Sequence, residues 1–227
     1  MSADMAEDTP AARLMTLPGV YAPQHDTRLL MAALDREAIG PGAEVLDLGT
    51  GSGALALHAA RLGARVTAVD IAWRAVMTAR LNALLSRRRI TVQRSDLLSA
   101  LPGRSYDLVI CNPPYVPSPV GRLPERGASR AWEAGRDGRA VLDRVCRAAP
   151  AALRPGGRLL LVHSGLCDSE VTLRHLADVG LRARVSDRVQ VPMGPVLRSR
   201  LRWLRDTGLV DHGETTEELV VIRAEHP

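Results

Sequence analysis

The apolar positions of this chain switch period repeatedly. Short apolar runs at Glu44 to Leu48, Arg65 to Val69, Ile90 to Gln93 and Tyr106 to Cys111 alternate with stretches whose apolar residues recur every three to four positions. The runs read as strands, and the stretches at 53–62 and 73–85 as helices. Such alternation predicts parallel strands joined by right-handed crossovers, and the unbroken run Tyr106 to Cys111 suits a strand covered on both faces. Upstream, Leu29, Leu30, Ala33 and Leu34 share one helical face, with Asp26 or Thr27 as the cap and Gly40-Pro41-Gly42 as the stop. Downstream come a helix over Arg139 to Leu153, a turn at Pro155-Gly156-Gly157, a strand over Arg158 to His163 and a helix over Glu170 to Val179. A sixth strand falls within Arg182 to Val191 and a seventh over Glu218 to Arg223. The expected fold is α/β: a doubly wound, mostly parallel, seven-stranded sheet ending in an antiparallel pair.

Two segments stand outside that pattern. Residues 1–17 are polar, Ala-rich and aperiodic, and are expected to form a flexible lead to a single domain over 18–227. Met193 to Leu209 carries Leu197, Leu201 and Leu204 at helical spacing, and such an element is expected to cover a sheet edge.

Composition changes this picture little. With 227 residues, 46% of them hydrophobic, the chain is long enough for one sizeable core. All 30 basic residues are Arg and the net charge is +5, which would suit an acidic partner such as a nucleic acid. Spread over several helices, however, the arginines read as solvated faces, and Arg87-Arg88-Arg89 sits where a helix end welcomes cations. Cys111, Cys146 and Cys167 match neither a zinc site nor a disulfide framework, so no metal is expected and a reducing, cytoplasmic setting is. There is no basic-then-apolar leader and no run long enough for a membrane span.

The candidate chemistry lies in two separated motifs. Val45 to Gly53 ends a strand in Asp47-Leu48-Gly49-Thr50-Gly51-Ser52-Gly53, whose glycines permit a tight strand-to-helix turn and close approach of a ligand. With Ala54 the run also satisfies a dinucleotide pattern, so the glycines alone do not choose the cofactor. The acids narrow the choice. Asp70, ending the second strand, can accept from paired ribose hydroxyls of either cofactor. Asp47 could meet the amino group of a methionine moiety and would repel a pyrophosphate. Asp96, followed by Leu97, could accept from an adenine amino group, or could equally cap a turn after Ser95. Together they favour S-adenosylmethionine. The second motif, Asn112-Pro113-Pro114-Tyr115, follows the fourth strand. An amide or aromatic amine nitrogen is a poor nucleophile, and the Asn112 side-chain oxygen and Pro113 carbonyl can both accept from a planar NH2 and hold it in line with a methyl donor. The two prolines stiffen the turn, and Tyr115 offers a flat, partly polar wall.

On these residues the chain resembles the HemK family of S-adenosylmethionine-dependent N5-glutamine protein methyltransferases, over roughly Val20 to the C-terminus. Val20-Tyr21-Ala22-Pro23-Gln24-His25-Asp26-Thr27 is similar to the lead-in segment of the family's shorter branch, and Ala131 to Arg139 to that branch's loop after the reacting turn. The branch usually has acidic residues where Ala22 and His25 stand, which bears on substrate more than on fold. The resemblance implies a class I, Rossmann-like methyltransferase without the N-terminal helical domain of the bacterial release-factor enzymes. It also implies a donor pocket of Thr27, Asp47, Gly49, Thr50, Gly51, Gly53, Asp70, Ile71, Asp96, Leu97 and Asn112, with Asn112, Pro113, Pro114 and Tyr115 holding a glutamine amide. The implied substrate is the glutamine of a Gly-Gly-Gln release-factor loop, and family members from eukaryotes use a small activator subunit. Three other readings stay open: an adenine or small-molecule amine as acceptor, a nicotinamide-dependent oxidoreductase, and a silent binding module. His25 reads as surface or capping, His163 as packed structure, and Trp132 either as a shelter for the site or as the anchor of a lid.

Overall fold

The computed structural model describes residues 14–125 and 127–227. The lead over residues 1–13 lies outside them, and the chain is engaged before Pro18. The Met15 backbone N–H donates to Asn82 Oδ1 at 2.9 Å and its carbonyl accepts from Asn82 Nδ2 at 2.9 Å.

Seven strands form one sheet in the order β3-β2-β1-β4-β5-β7-β6. Strands β1 (Glu44–Leu48), β2 (Arg65–Asp70), β3 (Ile90–Arg94), β4 (Tyr106–Cys111) and β5 (Leu153–Ser164) run parallel. Strand β7 (Thr216–Glu225) lies antiparallel between β5 and β6 (Arg182–Pro192). The central strands read as apolar runs because both faces are buried. Leu46, Leu48, Val109 and Cys111 pack on one side with α4 (Leu142–Ala152) and α5 (Ser169–Asp178), while Val45, Leu108 and Ile110 pack on the other with α1 (His25–Asp35), α2 (Ala54–Arg61) and α3 (Trp73–Leu85). Each fully buried Leu, Ile or Val contributes roughly 1.5–3 kcal/mol against exposure, so the two clusters hold the helices to the sheet.

Local expectations fail at four places. Helix α1 begins at His25 behind Gln24, with no side-chain cap, and Asp26 and Thr27 lie buried in its first turn. Arg139 stands before α4 rather than in it; buried, its guanidinium donates to the carbonyls of Cys167 and Asp168 and to Thr172 Oγ1. Pro155-Gly156-Gly157 is drawn into β5 as an irregularity, where a Cβ on Gly157 would stand 2.8 Å from the Arg154 carbonyl oxygen. The segment from Met193 divides into α6 (Pro195–Ser199) and α7 (Leu201–Asp206) with Arg200 between them. Its small core of Met193, Leu197, Leu204 and Val210 packs on Val116 and Leu166 beyond the strand ends, so it props the loop after Tyr115 instead of covering an edge.

Order reverses between β1 and β4, the place where open α/β sheets bind ligands outside their strand ends. There Leu48 pairs with Cys111, so the chain leaves the sheet side by side into Gly49 and Asn112. Motifs 63 residues apart in sequence are thereby neighbours.

Candidate active site

A cavity of about 230 Å³ opens over those strand ends. Of the residues expected at the donor site, Thr27, Gly49, Thr50, Gly51, Asp70, Ile71, Asp96, Leu97 and Asn112 line it, as do Pro113, Pro114 and Tyr115. Asp47 and Gly53 do not. They lie behind the wall and shape it.

Asp47 is fully buried. Its Oδ2 accepts from Thr50 Oγ1 at 2.6 Å and from the Ala56 N–H at 3.1 Å, which pins the glycine turn to the first turn of α2. Its Oδ1 has no hydrogen-bond partner among the described residues, and burial pushes the carboxyl up to about 7. Gly53 has φ of +85°, and a Cβ there would meet Ala79 Cβ at 3.1 Å, so only glycine lets α2 and α3 approach here. Gly49, at φ +74°, lines the cavity, and a Cβ on it would meet no other atom within 4 Å, so the cavity reaches the backbone here.

Asp70 is spent partly on the same loop, accepting from the Gly51 N–H at 3.0 Å and the Ala72 N–H at 2.8 Å. Burial raises its carboxyl above the usual range, with those backbone donors opposing. Asp96 accepts from Arg144 at 2.7 Å, both half-exposed at the cavity rim. The turn after β3 is capped by Ser95 and Ser99 rather than by Asp96: Ser95 Oγ accepts from the Ala100 N–H at 3.0 Å, and Ser99 Oγ from the Asp96 N–H at 3.2 Å. Leu97 adopts φ of +50°, a conformation a branched side chain avoids, and lies against the cavity.

On the opposite wall, Asn112 Nδ2 donates to Thr27 Oγ1 at 3.4 Å, and no donor among the described residues reaches its Oδ1. The Tyr115 ring is buried, with its hydroxyl donating to Asp26 Oδ2 at 3.0 Å; Tyr21 donates to the same oxygen at 2.8 Å. Behind the turn, Cys167 Sγ donates to the Tyr115 carbonyl at 3.1 Å. A Cβ on Gly138, at φ +72°, would fall inside that carbonyl oxygen and 2.8 Å from Cys167 Sγ. The following loop folds back: the Val116 N–H donates to the Trp132 carbonyl at 2.7 Å and the Ala134 N–H to the Val116 carbonyl at 3.1 Å, which brings Trp132 to the cavity. Arg200 ties this loop to the α6–α7 segment, donating to the Pro117 carbonyl at 2.8 Å and pairing with Glu133.

Sequence reasoning missed Asp26, Tyr21, Gly138, Cys167 and Arg200. The signal present was the Tyr21–Asp26–Thr27 cluster itself, in which Thr27 reads as part of the donor pocket and Asp26 only as a helix cap. His25 is exposed. His163 is buried with Nδ1 on the Ser164 carbonyl at 2.8 Å, and burial pushes it down to about 4, a neutral structural ring. The three cysteines are buried and unpaired. Among the described residues no cluster could hold a metal ion, and no helix is long and apolar enough to cross a membrane.

The cavity fits a sulfonium donor better than a dinucleotide. Among the described residues its lining carries four carboxylates, Asp26, Asp70, Asp96 and Glu133, against two guanidinium groups, Arg130 and Arg144. Acceptor-only carboxylates suit a cation bearing hydroxyl and amino donors, and oppose a pyrophosphate. Sheet order, glycine turn and lining together define a class I, Rossmann-like methyltransferase. Comparison with known proteins carries this further. Residues 11–120 match the family model of the methyltransferase small domain. A Methanocaldococcus jannaschii protein assigned as an N5-glutamine methyltransferase is 32% identical over 181 residues, covering 79% of this chain and 90% of the relative. The release factor glutamine methyltransferase of Bordetella pertussis is 38% identical over 175 residues, covering 73% of this chain and 64% of that enzyme. The solved E. cuniculi Mtq2–Trm112 complex, described as responsible for methylating the termination factor eRF1, superposes with a TM-score of 0.65 at 26% identity, covering 92% of this chain and 99% of that one. The chain belongs to the HemK family of N5-glutamine methyltransferases.

Proposed function

We propose that this enzyme transfers a methyl group from S-adenosylmethionine to the side-chain amide nitrogen of a glutamine in a protein, the glutamine of a Gly-Gly-Gln release-factor loop. The observation that carries this is the state of Asn112. With its NH2 committed to Thr27, its Oδ1 remains as an acceptor on the cavity wall beside the Gly49 turn. A planar NH2 is what such an acceptor recognises.

Thr27, Gly49 to Gly51, Asp70, Ile71, Asp96 and Leu97 would hold the donor, with Asp47 and Gly53 fixing the turn that cradles it. S-adenosylmethionine held by these residues would supply an electrophilic methyl carbon, with the neutral thioether as its leaving group. Asn112 Oδ1 and the Pro113 carbonyl accept from the substrate NH2, fix its plane and stabilise the positive charge that grows as the nitrogen lone pair forms the new N–C bond. The N-alkylated amide is then strongly acidic and loses its extra proton to water, so no dedicated base is needed. Tyr115 and Trp132 wall the acceptor side and exclude solvent. Three unpaired cysteines suit a reducing, cytoplasmic setting.

The reading is tested with labelled donor and a purified release factor, parent or with its Gly-Gly-Gln glutamine replaced by Ala. Label should map to that glutamine and vanish in the variant. Label on nucleic acid or on a small-molecule amine would replace the acceptor class while keeping the reaction.

A further inference from the structure

We propose that Asp26 is a positioning residue for the transfer, its carboxylate setting the polarity of the Asn112 carboxamide and the placement of the Tyr115 ring. This rests on the acceptor role given above to the Asn112–Tyr115 turn.

Both ends of that turn converge on one buried carboxyl group. Asp26 is 2% exposed, and it joins two neighbours in sequence, Tyr21 and Thr27, to the distant Tyr115. Its Oδ2 accepts from Tyr115 at 3.0 Å and Tyr21 at 2.8 Å; its Oδ1 accepts from the Thr27 N–H at 2.6 Å and the Thr27 hydroxyl at 3.2 Å. Among the described residues four donors and no cationic side chain surround it, an arrangement that satisfies a buried negative charge through hydrogen bonds. Burial beside Asp26 pushes both phenols well above their ordinary value, so they remain donors throughout the working pH range.

The polarity follows from counting hydrogens. A carboxylate only accepts, and a threonine hydroxyl has one hydrogen. With that hydrogen on Asp26 Oδ1, Thr27 Oγ1 has only lone pairs to offer Asn112, 3.4 Å away. Asn112 must therefore turn its NH2 to Thr27 and keep its oxygen for the acceptor. A neutral carboxamide at position 26 removes this constraint. Its NH2 can donate to Thr27, whose hydrogen then turns to Asn112, and the Asn112 amide rotates to present NH2 to an acceptor that itself carries NH2. Donor would meet donor, and the acceptor would lose its alignment.

The test uses Asp26→Asn, Thr27→Val and Thr27→Ser in the full chain, with S-adenosylmethionine and a release factor as probes. Asp26→Asn and Thr27→Val are expected to lower kcat by roughly 100-fold, the scale of a misplaced reacting group. Thr27→Ser, which keeps the hydroxyl, is expected to recover most of what Thr27→Val loses. The Asn112 side-chain N–H pair, followed by 15N NMR in each protein with donor bound, should shift in Asp26→Asn and Thr27→Val and stay near the parent position in Thr27→Ser. Should Asp26→Asn fail to fold, the Thr27 pair carries the same contrast. A kcat in Asp26→Asn or Thr27→Val within about 3-fold of the parent, or an Asn112 signal that does not respond, would overturn the inference. If the parent labels no release factor, the acceptor reading fails instead, and the Asn112 signal still decides the role of Asp26.

Discussion

The two walls of the cavity are built by different means. The donor wall is local: Asp47 holds Thr50 and Ala56, three and nine residues on, and the glycines supply conformations other residues resist. The acceptor wall is assembled from a distance. Tyr115 leans on Asp26 across 89 positions, Asn112 on Thr27 across 85, and the Tyr115 carbonyl on Cys167 across 52. A wall made of backbone torsions recurs wherever its short motif does. One made of remote side-chain contacts can be altered piece by piece, which suits the side of the site that must recognise a particular substrate.

The largest expected effect separates the two walls outright. Asn112→Ala should lower single-turnover methyl transfer by roughly 100- to 1,000-fold, as loss of an oriented acceptor does, while donor affinity measured by calorimetry changes far less. Equal losses in both would place Asn112 on the donor side alone.

A smaller contrast uses glycines. Gly138→Ala forces a Cβ into the Tyr115 carbonyl and should cost about 100-fold in transfer. Gly180→Ala, at φ +85° with open space around it, should cost only about 1 kcal/mol in thermal stability and leave transfer intact. Similar activity in both would show that the turn tolerates displacement.

The donor wall carries a pH signature. Burial holds Asp47 at about 7, above its ordinary 3.8, so its contribution to stability is present at low pH and lost as pH rises towards 7. Glu217, also pushed up to about 7 by burial, acts in the same direction. His163, held near 4 against an ordinary 6.5, acts oppositely: its contribution is lost as pH falls from 6.5 to 4. Asp47→Asn should therefore remove one proton's worth of slope, about 1.4 kcal/mol per pH unit, from denaturant-measured stability between about pH 5 and 7. An unchanged slope would mean that Asp47 titrates normally.

The smallest expected change is at the prop behind the acceptor loop. Arg200→Met, which releases the Pro117 carbonyl and Glu133, should raise the acceptor KM by roughly 3-fold with donor binding preserved, the cost of about one hydrogen bond. A change in donor binding instead would couple the loop to the other wall.

The same contrast explains what the sequence could tell. The alternating strands and helices of a parallel sheet and the glycine turn were legible because apolar period and φ-permissive residues are written into consecutive positions. Asp70, Leu97 and the Asn112 turn line one cavity, as expected of strand ends that converge on one sheet edge. The contacts of Asp26 were not legible, because a short acid before a helix reads first as a cap, and only tertiary packing shows that α1 starts at His25 and turns that carboxylate to two phenols. Asp47 was placed in contact with the donor, whereas the fold puts it behind the cavity wall. The α6–α7 segment misled for a similar reason: periodicity gave a helix but not Arg200, which breaks it to reach the loop.

A calorimetric titration of the unmodified protein with S-adenosylmethionine, set beside one with a reduced pyridine dinucleotide, is the most direct check on a sulfonium site facing the Asn112 turn. Saturable heat with the sulfonium compound and none with the dinucleotide is the expected result. Saturation by the dinucleotide with no response to the sulfonium compound would contradict it.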